Sequence, residues 1–178
     1  MAASTTRARA NFEIKARCED LAAARDRAAR LATEYIGIDH QVDTYFLTRC
    51  GRLKLRESSL SGGQLVPYLR PDQPGPRRSD YRIVPLPDPV GTKALLTEIL
   101  GLHRVVDKWR EIFLVGNVRI HLDRVEGLGS FLELEAVFDG DAASEASERA
   151  KLERLMRELG VQPRDLVATS YEALLADP

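Results

Sequence analysis

The sequence predicts an α+β protein built as a closed, mainly antiparallel eight-stranded β-barrel with helices packed outside. Three observations carry this expectation. About eight segments alternate polar and apolar residues with the period of a strand. On six of them the polar face consists of full charges in register, which suits a lined lumen better than a wet outer surface. Turn signals separate the segments, and closure into a barrel removes the unpaired edges that so many strands would leave.

The elements follow in order. Residues 1–10 are small and polar and read as a disordered tail, leaving 11–178 as a single domain. Phe12, Ile14 and Ala16 alternate with Glu13, Lys15 and Arg17, a period-two strand. Asp20 opens an Ala/Arg-rich helix to about Ala32, with Leu21, Ala24, Ala28 and Leu31 on one face. Strands are expected at Gln41–Leu47, Arg52–Glu57 and Gln64–Arg70, with Ser58–Gly63 as a loop. Pro71–Arg78 is rich in Pro and Gly and reads as loop, with Arg77 and Arg78 solvated or forming a lid. A short strand follows at Tyr81–Val84. Asp88-Pro89 starts a helix that Gly101 closes. Strands at Arg104–Val115, Asn117–Val125 and Phe131–Phe138 are joined by turns at Gly116-Asn117 and Gly127–Gly129. A helix over Ala143–Leu159 and a short one over Tyr171–Ala176 complete the chain.

The charged faces bear on function. Glu13, Lys15 and Arg17 point one way, as do Arg52, Lys54 and Arg56. Tyr68 pairs with Arg70, Lys108 with Arg110, and Glu133 with Glu135. Arg119, His121 and Asp123 share a further face. Three cations at i, i+2 and i+4 repel one another unless an anion lies between them. A cationic wall with an acidic pair is what a metal–polyphosphate complex requires. Arg and Lys take phosphate oxygens, and carboxylates take the hard divalent cation. Without a cation, Glu133 and Glu135 should repel, and one should take up a proton more readily than a free Glu. His121 is either a proton carrier or a structural hydrogen-bonding residue. Tyr68 either stacks on a base or packs in the barrel, and Trp109 should face outward under a helix.

Bulk composition narrows the classes. Of 178 residues, 44% are hydrophobic and 30% charged, enough apolar material for a core. A net charge of −1 argues against a general nucleic-acid binder, so positive charge must be concentrated locally. Cys18 and Cys50 have no metal-ligand spacing and read as thiols in a reducing compartment. Neither a signal peptide nor an apolar run of about 18 residues is present, so the expectation is a cytoplasmic protein without membrane contact.

Several ordered segments carry a resemblance to a known family. They are Asn11–Lys15, Gln41–Phe46, Gly51–Arg56, Tyr68–Arg70, Lys108–Arg110, Arg119–Asp123, the run Gly-Leu-Gly-Ser-Phe-Leu-Glu-Leu-Glu at 127–135, and Ser170-Tyr171. Together they resemble the CYTH domain, the triphosphate tunnel family that joins class IV adenylyl cyclases with thiamine triphosphatases. The resemblance implies Mg²⁺ or Mn²⁺ held by Glu133 and Glu135, helped by Glu13 and Asp123. It implies a nucleoside or other triphosphate held by Lys15, Arg52, Lys54, Arg56, Arg70, Lys108 and Arg110, with Lys15 and Glu13 catalytic. The family's opening motif is Glu-x-Glu-x-Lys, and Asn11 stands where the first Glu is expected. Conversion of ATP to cyclic AMP and pyrophosphate is the leading activity, partly because the 112–123 run looks more like the cyclase branch. Hydrolysis of thiamine or inorganic triphosphate is the alternative. A phosphate-ligand-binding or repurposed barrel with little turnover is a third, and a homodimer stays open.

Overall fold

The computed structural model describes residues 9–73, 75–138 and 145–175. Its strands are β1 (Arg9–Arg17), β2 (Glu34–Phe46), β3 (Arg52–Ser58), β4 (Gly62–Leu69), β5 (Arg77–Tyr81), β6 (Val84–Leu86), β7 (Leu102–Val115), β8 (Val118–Val125) and β9 (Gly129–Phe138). The helices are α1 (Leu21–Leu31), α2 (Pro89–Leu100), α3 (Glu145–Leu159) and α4 (Tyr171–Leu174). The spatial order is β3-β2-β7-β8-β9-β1-β5-β4, and β4 pairs back onto β3 to close an eight-stranded antiparallel barrel. The ninth strand, β6, pairs with β4.

Closure sends alternate side chains inward and outward, and in this chain the apolar set goes outward. Phe12 and Ile14 of β1, Val118, Ile120 and Leu122 of β8, and Leu132, Leu134 and Ala136 of β9 form a core against α1 and α3. Helix α1 contributes Ala24 and Ala28, small enough for close approach, and α3 contributes Leu152, Leu155 and Leu159. Each buried large aliphatic contributes about 1.5–3 kcal/mol. The main core therefore lies between barrel wall and helices, and the lumen is left for polar groups. A second cluster of Tyr45, Val106, Val125 and Phe131 packs on Tyr171, so α4 fills one end of the barrel. Asp20 and Asp88 cap α1 and α2 by accepting from the backbone amides of Ala23 and Gly91. None of the described helices is long and apolar enough to cross a membrane.

Several elements differ from expectation. β2 begins at Glu34, not near Gln41; a bulge between Tyr35 and Gly37 interrupts the alternation there. Arg77 and Arg78 are not solvated loop residues. They open β5, which lies between β1 and β4. The strand expected at Tyr81–Val84 is split between the end of β5 and the start of β6. Trp109 faces outward but lies under no helix: it is 55% exposed and stacks on His40 with ring centroids 4.5 Å apart. The tail read over 1–10 and the first residues of the helix read from Ala143 fall mostly outside the described residues. Arg9 and Ala10 themselves belong to β1.

Arg77 shows why the β5 assignment matters. Its side chain is fully buried. It donates to Glu13 at 3.3 Å and to the carbonyl oxygens of Gln73, Val167 and Ala168 at 3.0, 3.1 and 2.6 Å. One guanidinium thereby ties β1, the segment before β5 and the segment before α4 together. Removing it takes the shared donor from three carbonyls and leaves Glu13 with Arg70 alone, so Arg77→Met should destabilise the chain by about 1–3 kcal/mol. Urea unfolding measures this, and a loss below about 1 kcal/mol would contradict the tethering role.

Candidate functional site

The lumen is a cavity of roughly 450 Å³. Among the described residues, seven cations line it: Lys15, Lys54, Arg56, Arg70, Lys108, Arg110 and Arg119. Five carboxylates accompany them: Glu13, Asp39, Asp43, Glu133 and Glu135. The alternation of β1, β2, β3, β7, β8 and β9 puts these groups inside. Cross-strand register then sets their neighbours, with Lys15 opposite Glu133, Glu13 opposite Glu135, and Arg110 opposite Asp123.

Three ion-pair groups result. Asp43 accepts from Lys54 Nζ at 3.0 Å, from Arg56 Nε and Nη2 at 2.7 Å each, and from Lys108 Nζ at 2.8 Å. This internal carboxylate is the anion between the β3 cations, which in-register charge alone suggested must come from a ligand. Asp123 accepts from Arg110 Nε at 2.7 Å and Nη2 at 2.5 Å, and from the Tyr171 hydroxyl at 2.8 Å. Arg110 also donates to Glu133, and Lys15 Nζ lies 3.3 Å from Glu133 Oε1. In the third group Glu13 accepts from Arg70 at 2.6 Å and from Arg77. Glu135 is held there by Asn11 Nδ2 and by Arg119 at 3.3 Å.

Charge state follows from these neighbours. Burial raises the Asp43 carboxyl, but Arg56, Lys108 and Lys54 outweigh it and hold it well below the usual range. Burial likewise raises Glu133, and Arg110 and Lys15 carry it well below. For Glu135, Arg119 and His121 outweigh burial and lower it. Neither glutamate takes up a proton more readily than a free one; the expected mutual repulsion is overcome by cations on neighbouring strands. Burial and Arg110 lower His121, with Glu133 opposing. Burial lowers Lys15 despite Glu133. Lys108 falls to about 7, mainly through burial, with Asp43 opposing and Arg56, Arg110 and Lys54 adding to the fall.

Of the residues singled out from sequence, Glu13, Lys15, Lys54, Arg56, Arg70, Lys108, Arg110, Glu133 and Glu135 all border this cavity. Arg52 does not. It is held near the end filled by α4, donating to Asp72 at 2.5 Å and the Arg70 carbonyl at 3.2 Å and pairing with Glu172 at 2.9 Å. Asp123 is fully buried behind Arg110 with both oxygens engaged, which suits orienting an arginine better than ligating an ion. Asp43, Asp39 and Tyr45 are lining residues that sequence reasoning did not single out, whereas Arg119, read from its charged face, also borders the cavity. Asp39, Gln41, Asp43 and Tyr45 share one face at period two, the signal that could have found them.

The residues suit a hard divalent cation in kind but do not enclose one by themselves. Among the described residues, no three His, Cys, Asp or Glu side chains converge on a common point. Glu133, Glu135 and Glu13 offer carboxylate oxygens, and the buried Asn11 Oδ1 has no hydrogen-bond partner. Mg²⁺ and Mn²⁺ sites commonly take one or two carboxylates and complete their shell with substrate phosphates and water. Arg70 is also incompletely satisfied: its side chain is 6% exposed, Nε lacks a hydrogen-bond partner, and Nη2 lies 3.6 Å from Asp72 Oδ1 without a hydrogen bond.

Lys108 gives a pH test. In the unfolded chain it keeps its proton to about pH 10.4, whereas in the fold it loses it near 7. Between those values the unfolded chain binds more protons, so Lys108 makes stability rise with pH. Lys108→Met should remove that rise. Urea unfolding of both proteins at intervals from about pH 6.5 to 9.5 reads the slopes, and parallel slopes would refute the assignment.

Residues 9–171 match the family model of the CYTH domain. Adenylate cyclase CyaB of Aeromonas hydrophila is 30% identical over 178 residues, covering 93% of this chain and 88% of that protein. A solved structure from Pyrococcus horikoshii OT3 superposes with a TM-score of 0.74 at 23% identity, over 92% of this chain and 98% of its own. A second from that organism has a TM-score of 0.69 at 24% identity, over 94% and 99%. These two likenesses show the fold; the match along nearly the whole chain shows that it belongs to the CYTH family.

Proposed function

We propose that this chain is a divalent-metal-dependent enzyme acting on a triphosphate, with ATP cyclisation as its reaction. A ribose hydroxyl gives up its proton to water and attacks the α-phosphorus, a new O–P bond forms, the bond from that phosphorus to the α,β-bridging oxygen breaks, and pyrophosphate leaves. The observation that carries this reading is Arg70, a buried guanidinium with two nitrogens that make no hydrogen bond in a cavity that holds more cations than carboxylates. Buried donors without hydrogen bonds are costly, and phosphate oxygens would satisfy them. The relative named adenylate cyclase CyaB supports the choice of reaction.

The roles divide among the ion-pair groups. Lys54, Arg56 and Lys108 bind phosphate oxygens, with Asp43 holding them together as one fan. Arg70 and Arg110 bind others, oriented by Glu13 and Asp123. Lys15, beside Glu133 and Glu13's neighbours on β1, neutralises charge that develops on the reacting phosphoryl group. Glu133, Glu135 and Glu13 would hold Mg²⁺ or Mn²⁺, with Asn11 Oδ1 able to add a neutral oxygen. A bound ion supplies Lewis-acid neutralisation of phosphate oxygens and activation of the attacking hydroxyl. Binding with little turnover is the competing reading, favoured by Asn11 at a carboxylate position and by the absence of three convergent ligands among the described residues.

Incubation with ATP, thiamine triphosphate and inorganic triphosphate, each with Mg²⁺ or Mn²⁺, tests these readings by their products. Cyclic AMP with pyrophosphate is expected from ATP. Orthophosphate alone would assign the chain to hydrolysis, and no product from any of the three would favour the binding barrel. Lys54→Met should weaken triphosphate binding by about 1.5–3 kcal/mol, whereas Arg52→Ala, outside the cavity, should lower stability and not affinity. Glu133→Gln and Glu135→Gln should abolish metal-dependent turnover. Asn11→Glu should tighten Mn²⁺ binding, and equal Mn²⁺ affinity in both proteins would show that Asn11 does not limit the ion.

A further inference from the structure

The lining changes character toward the end of the barrel where β2 and β8 begin and β3 and β7 finish. Ile36, Leu60, Ile83, Ile112 and Leu114 border the same cavity as the charged groups. Ile36 is 42% and Leu60 53% exposed, so apolar surface meets water at the mouth of a polar tunnel. Single exposed aliphatics are ordinary, but five bordering one cavity are an apolar feature of it.

Two devices hold this mouth in place. The register of β2 on β7 shifts between Tyr35 and Gly37, and Gly37 has φ 126°, which fits a bulge that re-aims Ile36. Leu60 sits at the tip of the β3–β4 hairpin, and that tip is tied to Asp39. Asp39 accepts from the Leu60 amide at 3.1 Å, from the Ser59 hydroxyl at 3.0 Å, from the Ser58 hydroxyl at 2.8 Å and from Gln41 Nε2 at 2.7 Å. Ser58 Oγ in turn accepts from the Ser61 amide at 3.0 Å. Asp39 is 2% exposed. A buried carboxylate committed to four donors ties the hairpin tip down, with its leucine at the cavity.

We infer that this mouth recognises the aromatic end of an organic triphosphate, with Ile36, Leu60 and Ile83 as contact residues and Asp39 as the positioning residue that fixes Leu60. The inference rests on the triphosphate reading and adds the substrate's other half. A ligand that is anionic at one end and flat and weakly polar at the other matches a cation-lined lumen that opens through aliphatic side chains. Arg119, Ser61 and Gln64 line the same cavity and can hydrogen-bond ring heteroatoms. Inorganic triphosphate has nothing to place against Leu60.

Two probes separate the halves: the α,β-methylene analogue of ATP and inorganic triphosphate, each titrated calorimetrically into the full chain with Mg²⁺. Wild type should bind the analogue about tenfold more tightly. Leu60→Ser, at an exposed position that folding does not depend on, should weaken the analogue about fivefold and leave inorganic triphosphate within about twofold. Asp39→Asn should show the same pattern, and the double variant should add little, because both act through one contact. Equal wild-type affinity for the two probes, or equal losses on Leu60→Ser, would overturn this inference and leave the triphosphate reading standing. Failure of wild type to bind either probe would overturn both.

Discussion

Everything in this barrel depends on burying charge beside opposite charge. A closed eight-stranded wall with period-two alternation must put half its strand side chains inside, and here much of that half is ionic. Taking a single ion out of water costs several kcal/mol even after relaxation. The chain offsets this with carboxylates on adjacent strands: Asp43 on β2 serves cations from β3 and β7, and Asp123 on β8 serves Arg110 from β7. Arg110 is shared between Asp123 and Glu133, so the same guanidinium that stabilises β8 against β7 also touches the candidate metal ligand. Structural and functional electrostatics are therefore carried by the same atoms.

The end of the chain belongs to this network. The Tyr171 hydroxyl reaches Asp123, its ring lies 3.5 Å from Lys15 Nζ, and the Thr169 carbonyl accepts from the same amine at 3.4 Å. Arg77 holds the two carbonyls just before. A four-residue helix has little intrinsic stability. Its placement comes from these bonds and from packing on Phe131 and Val125.

The segments that could be read from sequence are those whose pattern is local. β3, β7, β8 and β9 lie within about two residues of their expected bounds, because charge and aliphatic alternate along β3, β8 and the middle of β9, and a Gly turn follows β7. β2 was half seen, since Gly37 and the bulge break its alternation. β5 was hidden by the prolines and glycine that precede Arg77 in the chain. Among site residues, the paired charges of one strand stood out, whereas Asp43 and Asp39 alternate with uncharged Gln41 and Tyr45. Their importance lies in contacts 11 to 65 residues away, which no single strand's pattern encodes. Asp123 was recognised by residue type but not by its neighbours: its oxygens face Arg110 and Tyr171, contacts set by strand pairing and by the placement of α4.

The outward core of Phe12, Ile120, Leu122 and Leu134 has a consequence for how such a protein can change. Alternate residues of each strand answer to different requirements, one set anchoring helices and the other facing the lumen. A mutation at an inward position leaves the helix-anchoring set untouched, provided its ionic partner changes with it. Descent with modification can thus rewrite the chamber while keeping the vessel, and several chemistries can arise on one ancestral wall. The same separation makes the lumen a workable target for directed evolution, with matched pairs such as Arg110 and Asp123 as the units to exchange.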